Sequence, residues 1–125
     1  MMGGPTYYTK LLSDPRFTKG LTQNMRLFIS GSAQLFTKTH SHFEERTGHR
    51  ILERYGMSKT NMNTCDPYRG ERRAGTVGFP LPGIEPKITD GATGETLRQG
   101  EIDVDGYKHI IGRNKDLIIS GGYNV

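Results

Sequence analysis

The spacing of apolar positions in the first half of the chain predicts a parallel α/β unit. Pro5 suits the first turn of a helix that runs through Tyr7, Tyr8, Leu11 and Leu12, a spacing that puts these side chains on one face. Ser13-Asp14-Pro15 stops that helix. Residues 25–29 read as a buried strand, ended by Ser30-Gly31-Ser32-Ala33. A second helix is expected over 35–47, with Leu35, Thr39 and Phe43 at i, i+4 spacing and Gly48 closing it. Residues 50–54 then form a short strand that feeds Tyr55-Gly56. Strand, loop, helix and strand in this order are the parts of a parallel sheet covered by helices.

After Ser58 the pattern changes. Residues 60–76 are polar and poor in helix signals, and Pro80, Pro82, Gly83 and Pro86 interrupt any long element. Short strands are expected over 85–89, 101–104, 107–111 and 117–120, the last ending at Gly121-Gly122. Asp105-Gly106 supplies a two-residue hairpin turn. The expected fold class is therefore α/β, a partial parallel-sheet domain followed by a small β-rich region. A boundary falls near 105–113, where the hairpin meets a basic segment.

Composition narrows the function. A chain of 125 residues suits one domain, yet only 33% of it is apolar and 17 residues are glycine. That balance fits short strands joined by glycine loops, or a piece that leans on structure outside itself. The formal charge of +4 favours anionic ligands such as nucleotides and is too small to argue for nucleic acid. Cys65 is the single cysteine, which excludes an internal disulfide and suits a reducing compartment. The runs Leu27-Phe28-Ile29 and Leu117-Ile118-Ile119 are far short of a membrane span. The first residues lack the basic and apolar regions of a signal peptide, so the cytoplasm is expected.

His40, His42, His49 and Cys65 do not make a metal site by pattern. His40 and His42 lie two apart on a predicted helix and face different directions, and no ligand pair has metal spacing. Cys65 has no identifiable base to act as a nucleophile. Arg69, Arg72 and Arg73 read as a solvated loop. Taken singly, Gly31 and Gly121-Gly122 are ordinary strand-end turns, Tyr55 packs a core, Ser58 is a surface hydroxyl, and Arg113 and Lys115 are loop charges.

Three stretches in order change that reading. They are Leu27-Phe28-Ile29-Ser30-Gly31-Ser32-Ala33, followed at a helix's distance by Glu53-Arg54-Tyr55-Gly56-Met57-Ser58; Gly75-Thr76-Val77-Gly78-Phe79-Pro80-Leu81-Pro82-Gly83; and Gly112-Arg113-Asn114-Lys115-Asp116 continuing to Val125. Together they resemble the adenylate-forming acyl-CoA synthetases. Gly4-Pro5-Thr6-Tyr7-Tyr8 and Tyr55-Gly56-Met57 with Asn61-Met62-Asn63-Thr64 resemble the malonyl-CoA synthetase branch. The resemblance implies that 1–104 is part of the large AMP-binding domain and 105–125 the hairpin, hinge and start of a second domain. It implies ATP-dependent activation of a carboxylic acid, malonate in this branch, to an acyl-adenylate, from which the thiol of CoA displaces AMP. It also implies ATP or AMP, CoA and Mg²⁺ as ligands, with no role for nucleic acid or membrane. By the same resemblance Gly31, Ser32 and Ala33 line the acyl and adenine pocket, Tyr55 stacks on adenine and Gly56 gives clearance beside Met57. Ser58 stands where the family places a phosphate-binding threonine. Arg113 reaches ribose or phosphate, Lys115 lies at the hinge, and Gly121 and Gly122 approach CoA.

The chain departs from that family in ways that bear on activity. Lys59 stands where the family has a glutamate that holds Mg²⁺, and an ammonium has no acceptor to offer a metal. A second reading has Lys59 touch the phosphates directly. The phosphate loop rich in glycine, serine and threonine is absent, and the segment that carries the ribose-binding aspartate is missing between Ile102 and Asp103. The adenylation lysine is absent as well. The expectation is a ligase relative that is catalytically deficient by itself, the alternative being a non-catalytic nucleotide- or acyl-binding remnant or a pseudogene product.

Overall fold

The computed structural model describes residues 1–58, 60–86, 93 and 119–121. The chain opens with a two-residue strand, β1 (Met2–Gly3), then helix α1 (Pro5–Ser13) and a single turn, α2 (Lys19–Thr22). Strand β2 (Ile29–Ser30), helix α3 (Thr37–Thr47) and strand β3 (Leu52–Met57) form the expected crossover unit. Two further strands, β4 (Asn61–Cys65) and β5 (Phe79–Pro80), complete a five-stranded sheet in the order β1-β2-β3-β4-β5. Its first three strands are parallel, β4 runs antiparallel to β3, and β5 runs antiparallel to β4. A separate pair joins β6 (Ile84–Pro86) to β7 (Ile119–Gly121). The class is α/β with a mixed sheet, and β7 overlaps the strand expected over 117–120.

The core lies where α1 and α3 cover the parallel strands. Tyr8, Phe28, Leu35, Phe43 and Ile51 are buried together, with Leu12, Phe17 and Met25 against them. Phe43 is central, its ring 4.9 Å from Phe28, 5.4 Å from Tyr8 and 5.7 Å from Phe17 between centroids. Tyr8 donates its hydroxyl hydrogen to the Ile29 carbonyl, which satisfies the polar tip of a fully buried ring. Arg46 of α3 donates to the carbonyls of Leu12 and Asp14, capping the C-terminal end of α1 and fastening the two helices.

Several boundaries differ from those read in the sequence. Tyr7 is 63% exposed rather than inward. Neighbouring positions on a helix diverge by about 100°, so with Tyr8 aimed at Phe43 the Tyr7 ring lies over Gly3 instead. Phe36 takes extended backbone at φ −67°, ψ 135°, so α3 begins at Thr37 and Leu35 enters the core from the loop. Gly48 ends α3 in the left-handed conformation, its N–H donating to the Glu44 carbonyl at 2.7 Å. β2 is only two residues long because its partner β1 offers just Met2 and Gly3. β4 was not anticipated. Its successive positions Asn63 and Thr64, on opposite faces, are polar yet buried, and a search for apolar alternation passes over such a strand.

Two glycines permit close backbone approach. A Cβ at Gly56 would stand 2.3 Å from the Asn61 carbonyl oxygen, and one at Gly78 would stand 2.2 Å from that of Cys65. Gly78 also has φ +71°, so a side chain there meets both a clash and backbone strain. Replacing Phe43 by alanine is expected to lower the unfolding free energy by about 3–5 kcal/mol, measured by urea denaturation. Gly78→Ala is expected to weaken the β4–β5 pairing, read as faster amide exchange at Thr64 and Cys65; unchanged exchange would contradict the clash.

Candidate functional site

Parallel strands direct their carboxyl ends, and the loops that follow, to one edge of a sheet, where open α/β folds bind ligands. The loop after β2 and the end of β3 meet there. Gly31 is buried against Arg54, and a Cβ at Gly31 would lie 3.3 Å from Arg54 Cγ. Ser32, at φ +73°, and Ala33 follow and are exposed. The left-handed turn at Ser32 is sparsely populated for a residue with a side chain, a feature that concentrates in ligand loops. Tyr55 and Gly56 are half-buried on β3, while Met57 and Ser58 are exposed at its end. The tertiary structure therefore brings Gly31, Ser32, Ala33, Tyr55, Gly56, Met57 and Ser58 to adjoining strand ends. Lys59, Arg113, Lys115 and Gly122 lie outside the described residues, as does the boundary near 105. Gly121 pairs with Ile84 across the two-stranded sheet.

Side chains alternate along β3, so Glu53 and Tyr55 share one face and Arg54 takes the other. Arg54 points its Nη groups at the sulfurs of Met62 and Met2, each at 3.1 Å, and its Nε has no hydrogen-bond partner among the described residues. Thioethers are weak acceptors, so much of this guanidinium's capacity is unused. A planar fork of donors beside a loop of small residues suits a carboxylate. A half-buried phenol next to Gly31–Ala33 suits a flat base.

Glu53 is only 3% exposed and Asp66 only 2%. The Glu53 N–H donates to Asp66 Oδ2 at 2.9 Å, and the Asp66 N–H donates to the Glu53 carbonyl at the same distance. Burial pushes the Glu53 carboxyl up to about 8, reinforced by the neighbouring Asp66 charge and partly offset by the Gly75 and Leu35 amides. Burial likewise raises Asp66 to about 6, against the Glu53 amide and the Arg72 charge. Sequence reasoning passed over Glu53, Arg54 and Asp66 as functional residues. The signal for Glu53 was a charged residue inside a run that reads as a buried strand; Asp66 had none, because β4 itself was not foreseen.

Among the described residues no group of three or more histidines, cysteines or carboxylates is placed to hold a metal. His40 is buried with Nε2 on the Ile51 carbonyl, and burial lowers its pKa, so it works as a neutral structural group; His42 is exposed. At the end of β3, Ser58 brings a hydroxyl and the next residue is Lys59, which carries no acceptor. The residues present there do not fit Mg²⁺. The depression lined by Leu11, Asp14, Arg16, Phe17, Thr18 and Leu21 shares no residue with this site.

Both raised carboxyls bind protons more tightly folded than unfolded. The stability they contribute is complete below their ordinary values of 4.5 and 3.8 and is lost as pH rises through about 6 and 8. Glu53→Gln is therefore expected to flatten the decline in unfolding free energy between pH 6 and 9. It is also expected to leave the variant more stable than the native chain at pH 9, by on the order of a few kcal/mol. Urea denaturation across that pH range measures both effects, and parallel curves would contradict the assignment.

The chain matches the family described as AMP-binding enzyme over residues 1–113. It is 34% identical to malonate–CoA ligase of Arabidopsis thaliana, covering 98% of this chain and 28% of that protein. It is 40% identical to the mitochondrial malonate–CoA ligase of Mus musculus, over 70% of this chain and 17% of the relative. Among solved structures, apo MatB from Rhodopseudomonas palustris is similar at a TM-score of 0.81 and 44% identity, covering 99% of this chain and 32% of that one. A malonyl-CoA ligase with methylmalonyl-CoA and AMP bound is similar at a TM-score of 0.64 and 33% identity, covering 95% and 32%. The alignment with the Arabidopsis protein runs over 167 positions against a chain of 125 residues, so a few dozen residues of the relative have no counterpart here. The chain belongs to the AMP-binding enzyme family, as an internally shortened member that spans less than a third of its malonate–CoA ligase relatives.

Proposed function

We propose that this chain carries the nucleotide- and acyl-binding pocket of an AMP-forming malonate–CoA ligase and holds AMP without completing the ligation by itself. The observation that carries the reading is the meeting of Gly31–Ala33 with Tyr55–Ser58 at adjoining ends of β2 and β3. The likeness to ATP-bound MatB, at a TM-score of 0.76 and 41% identity, supports it. In this reading adenine lies on Tyr55, Gly56 keeps the strand clear of it, and the Ser58 hydroxyl donates to a phosphate oxygen beside Met57. Gly31, Ser32 and Ala33 leave room for the acyl group. Arg54 offers its fork of donors to the distal carboxylate of a dicarboxylic acid such as malonate. Arg113 reaches the ribose or phosphate, Lys115 serves as a hinge, and Gly121 and Gly122 face CoA.

The ligase reaction makes a poor electrophile reactive. A carboxylate oxygen attacks the α-phosphorus of ATP and pyrophosphate leaves; the thiol of CoA then displaces AMP from the acyl-adenylate. Positioned cationic groups must stabilise the charge that builds on the phosphoryl centre. In this chain Ser58 can hold one phosphate oxygen and Tyr55 can orient the base, but no carboxylate follows Ser58 at the end of β3 to hold a metal. Binding is retained in this reading and turnover is not.

A purified sample is expected to show a cooperative melt that AMP shifts upward, with Tyr55→Ala abolishing the shift. No pyrophosphate release above blank is expected from ATP and malonate, and Lys59→Glu alone is not expected to restore it. Malonate-dependent release by the native chain would overturn the deficiency, and a melt indifferent to AMP would overturn nucleotide binding. No helix among the described residues is long and apolar enough to cross a membrane.

A further inference from the structure

Arg54 is held between two thioethers. Its Nη2 lies 3.1 Å from Met2 Sδ and its Nη1 lies 3.1 Å from Met62 Sδ. Its Nε is sealed from solvent and has no hydrogen-bond partner among the described residues. The strand register produces this arrangement. Met2 is the partner of Ile29, and Ile29 is the partner of Leu52, two residues before Arg54. Met62 is the partner of Gly56, two residues after Arg54. Paired positions and positions two apart present their side chains to one face, so both sulfurs meet the guanidinium there. Gly31 leaves space along the arginine stem, since a Cβ at that position would stand 3.3 Å from Arg54 Cγ.

The sulfurs of the chain differ in access. Met2 is 63% exposed, whereas Met62 is half-buried. Met1 and Met57 are less open, at 43% each. Cys65 is half-buried, and burial raises its thiol pKa, so it offers an oxidant little thiolate. The most open sulfur is therefore also one that touches Arg54. As a thioether it is a weak acceptor. Oxidation turns the apolar thioether into a polar sulfoxide, whose oxygen is a far better acceptor. Beside a guanidinium that oxygen forms a charge-assisted hydrogen bond, roughly twice as strong as a neutral one.

We propose that Met2 is a redox-sensitive modification site whose sulfoxide captures Arg54. The oxidant is a peroxide. A lone pair of the Met2 sulfur attacks one peroxide oxygen, so that an S–O bond forms and the O–O bond breaks. The sulfur is oxidised by two electrons and the peroxide is reduced by two. The hydrogen on the transferred oxygen passes to the departing one, which leaves as water when the oxidant is hydrogen peroxide. The sulfoxide oxygen then accepts from Nη2 and withdraws the guanidinium from a carboxylate ligand. That last consequence rests on the reading of Arg54 given under the proposed function; the capture itself does not. A sulfoxide reductase returns the thioether and frees the arginine.

The test uses the whole chain, treated with limiting hydrogen peroxide and mapped by peptide mass spectrometry. Met2 is expected to gain an oxygen before Met1, Met57 and Cys65. Arg54 is then probed with phenylglyoxal, which modifies guanidinium groups, with exposed Arg69 as the internal reference. Oxidation is expected to slow modification of Arg54 about tenfold, the factor that one charge-assisted hydrogen bond is worth. Met2→Leu, close in volume and without a sulfur to oxidise, is expected to show no slowing after the same treatment. Titration calorimetry with malonate is expected to show a comparable loss of affinity in the oxidised native chain and none in Met2→Leu. Met2 staying reduced while Met1 or Met57 is converted would overturn the proposal. Unchanged reactivity of Arg54 after conversion of Met2, or equal slowing in Met2→Leu, would overturn it as well. Malonate that binds neither form would overturn only the carboxylate role of Arg54, because the phenylglyoxal comparison uses no ligand.

Discussion

The packing of Phe43 against Phe28, Tyr8 and Phe17 is the interaction on which the rest of this structure depends. A parallel pair of strands cannot be closed by a hairpin; its connection must cross over the sheet, and the crossover is stable only if its helix buries a face on the strands. Here that face is narrow. α3 is rich in polar residues, and Phe43, with His40 and Thr47, is what it buries. The ring of Phe43 thereby holds β2 and β3 side by side, and the ends of those two strands carry Gly31–Ala33 and Tyr55–Ser58. Arg46 extends the same contact to α1 by capping its last turn.

A cost accompanies this arrangement. The sheet that positions Tyr55 also carries Glu53 and Asp66 in a dry interior, where both favour the protonated form. Ser30 and Thr64 add two more buried oxygens without partners among the described residues. Such groups are expensive to keep unless something satisfies them. Their concentration on one face of the sheet marks it as the part of the fold least explained by packing alone. The other face presents Arg54 to Gly31, so the two sides of β3 divide the chemistry between acidic and basic groups.

The relation to the malonate–CoA ligases gives this geometry its context. The chain keeps the crossover unit and the strand ends around Gly31 and Tyr55, while it spans 28% of the Arabidopsis relative and 32% of MatB. Phosphoryl transfer needs charge stabilisation from several directions at once, and at the end of β3 a lysine follows the serine where an acceptor is required.

Local patterning determined a good deal by itself. The 3.6-residue spacing marked α3 and most of α1, Gly48 marked the end of α3, and the run before Ser30-Gly31 marked the approach to β2. The motif stretches around Gly31 and Tyr55 carried the family. These are short-range properties: periodicity, capping and glycine turns act within a few residues and so are written in order along the chain. What only the tertiary structure decided was set by partners distant in sequence. It chose Tyr8 over Tyr7 as the core residue, because Phe43 lies on one side of α1. It made the polar run 61–65 a strand, because β3 offered it hydrogen bonds that its own composition does not advertise. It brought Ser30, Glu53 and Asp66 together from three separate segments, since strand register, unlike helix periodicity, is fixed only when the neighbouring strand arrives.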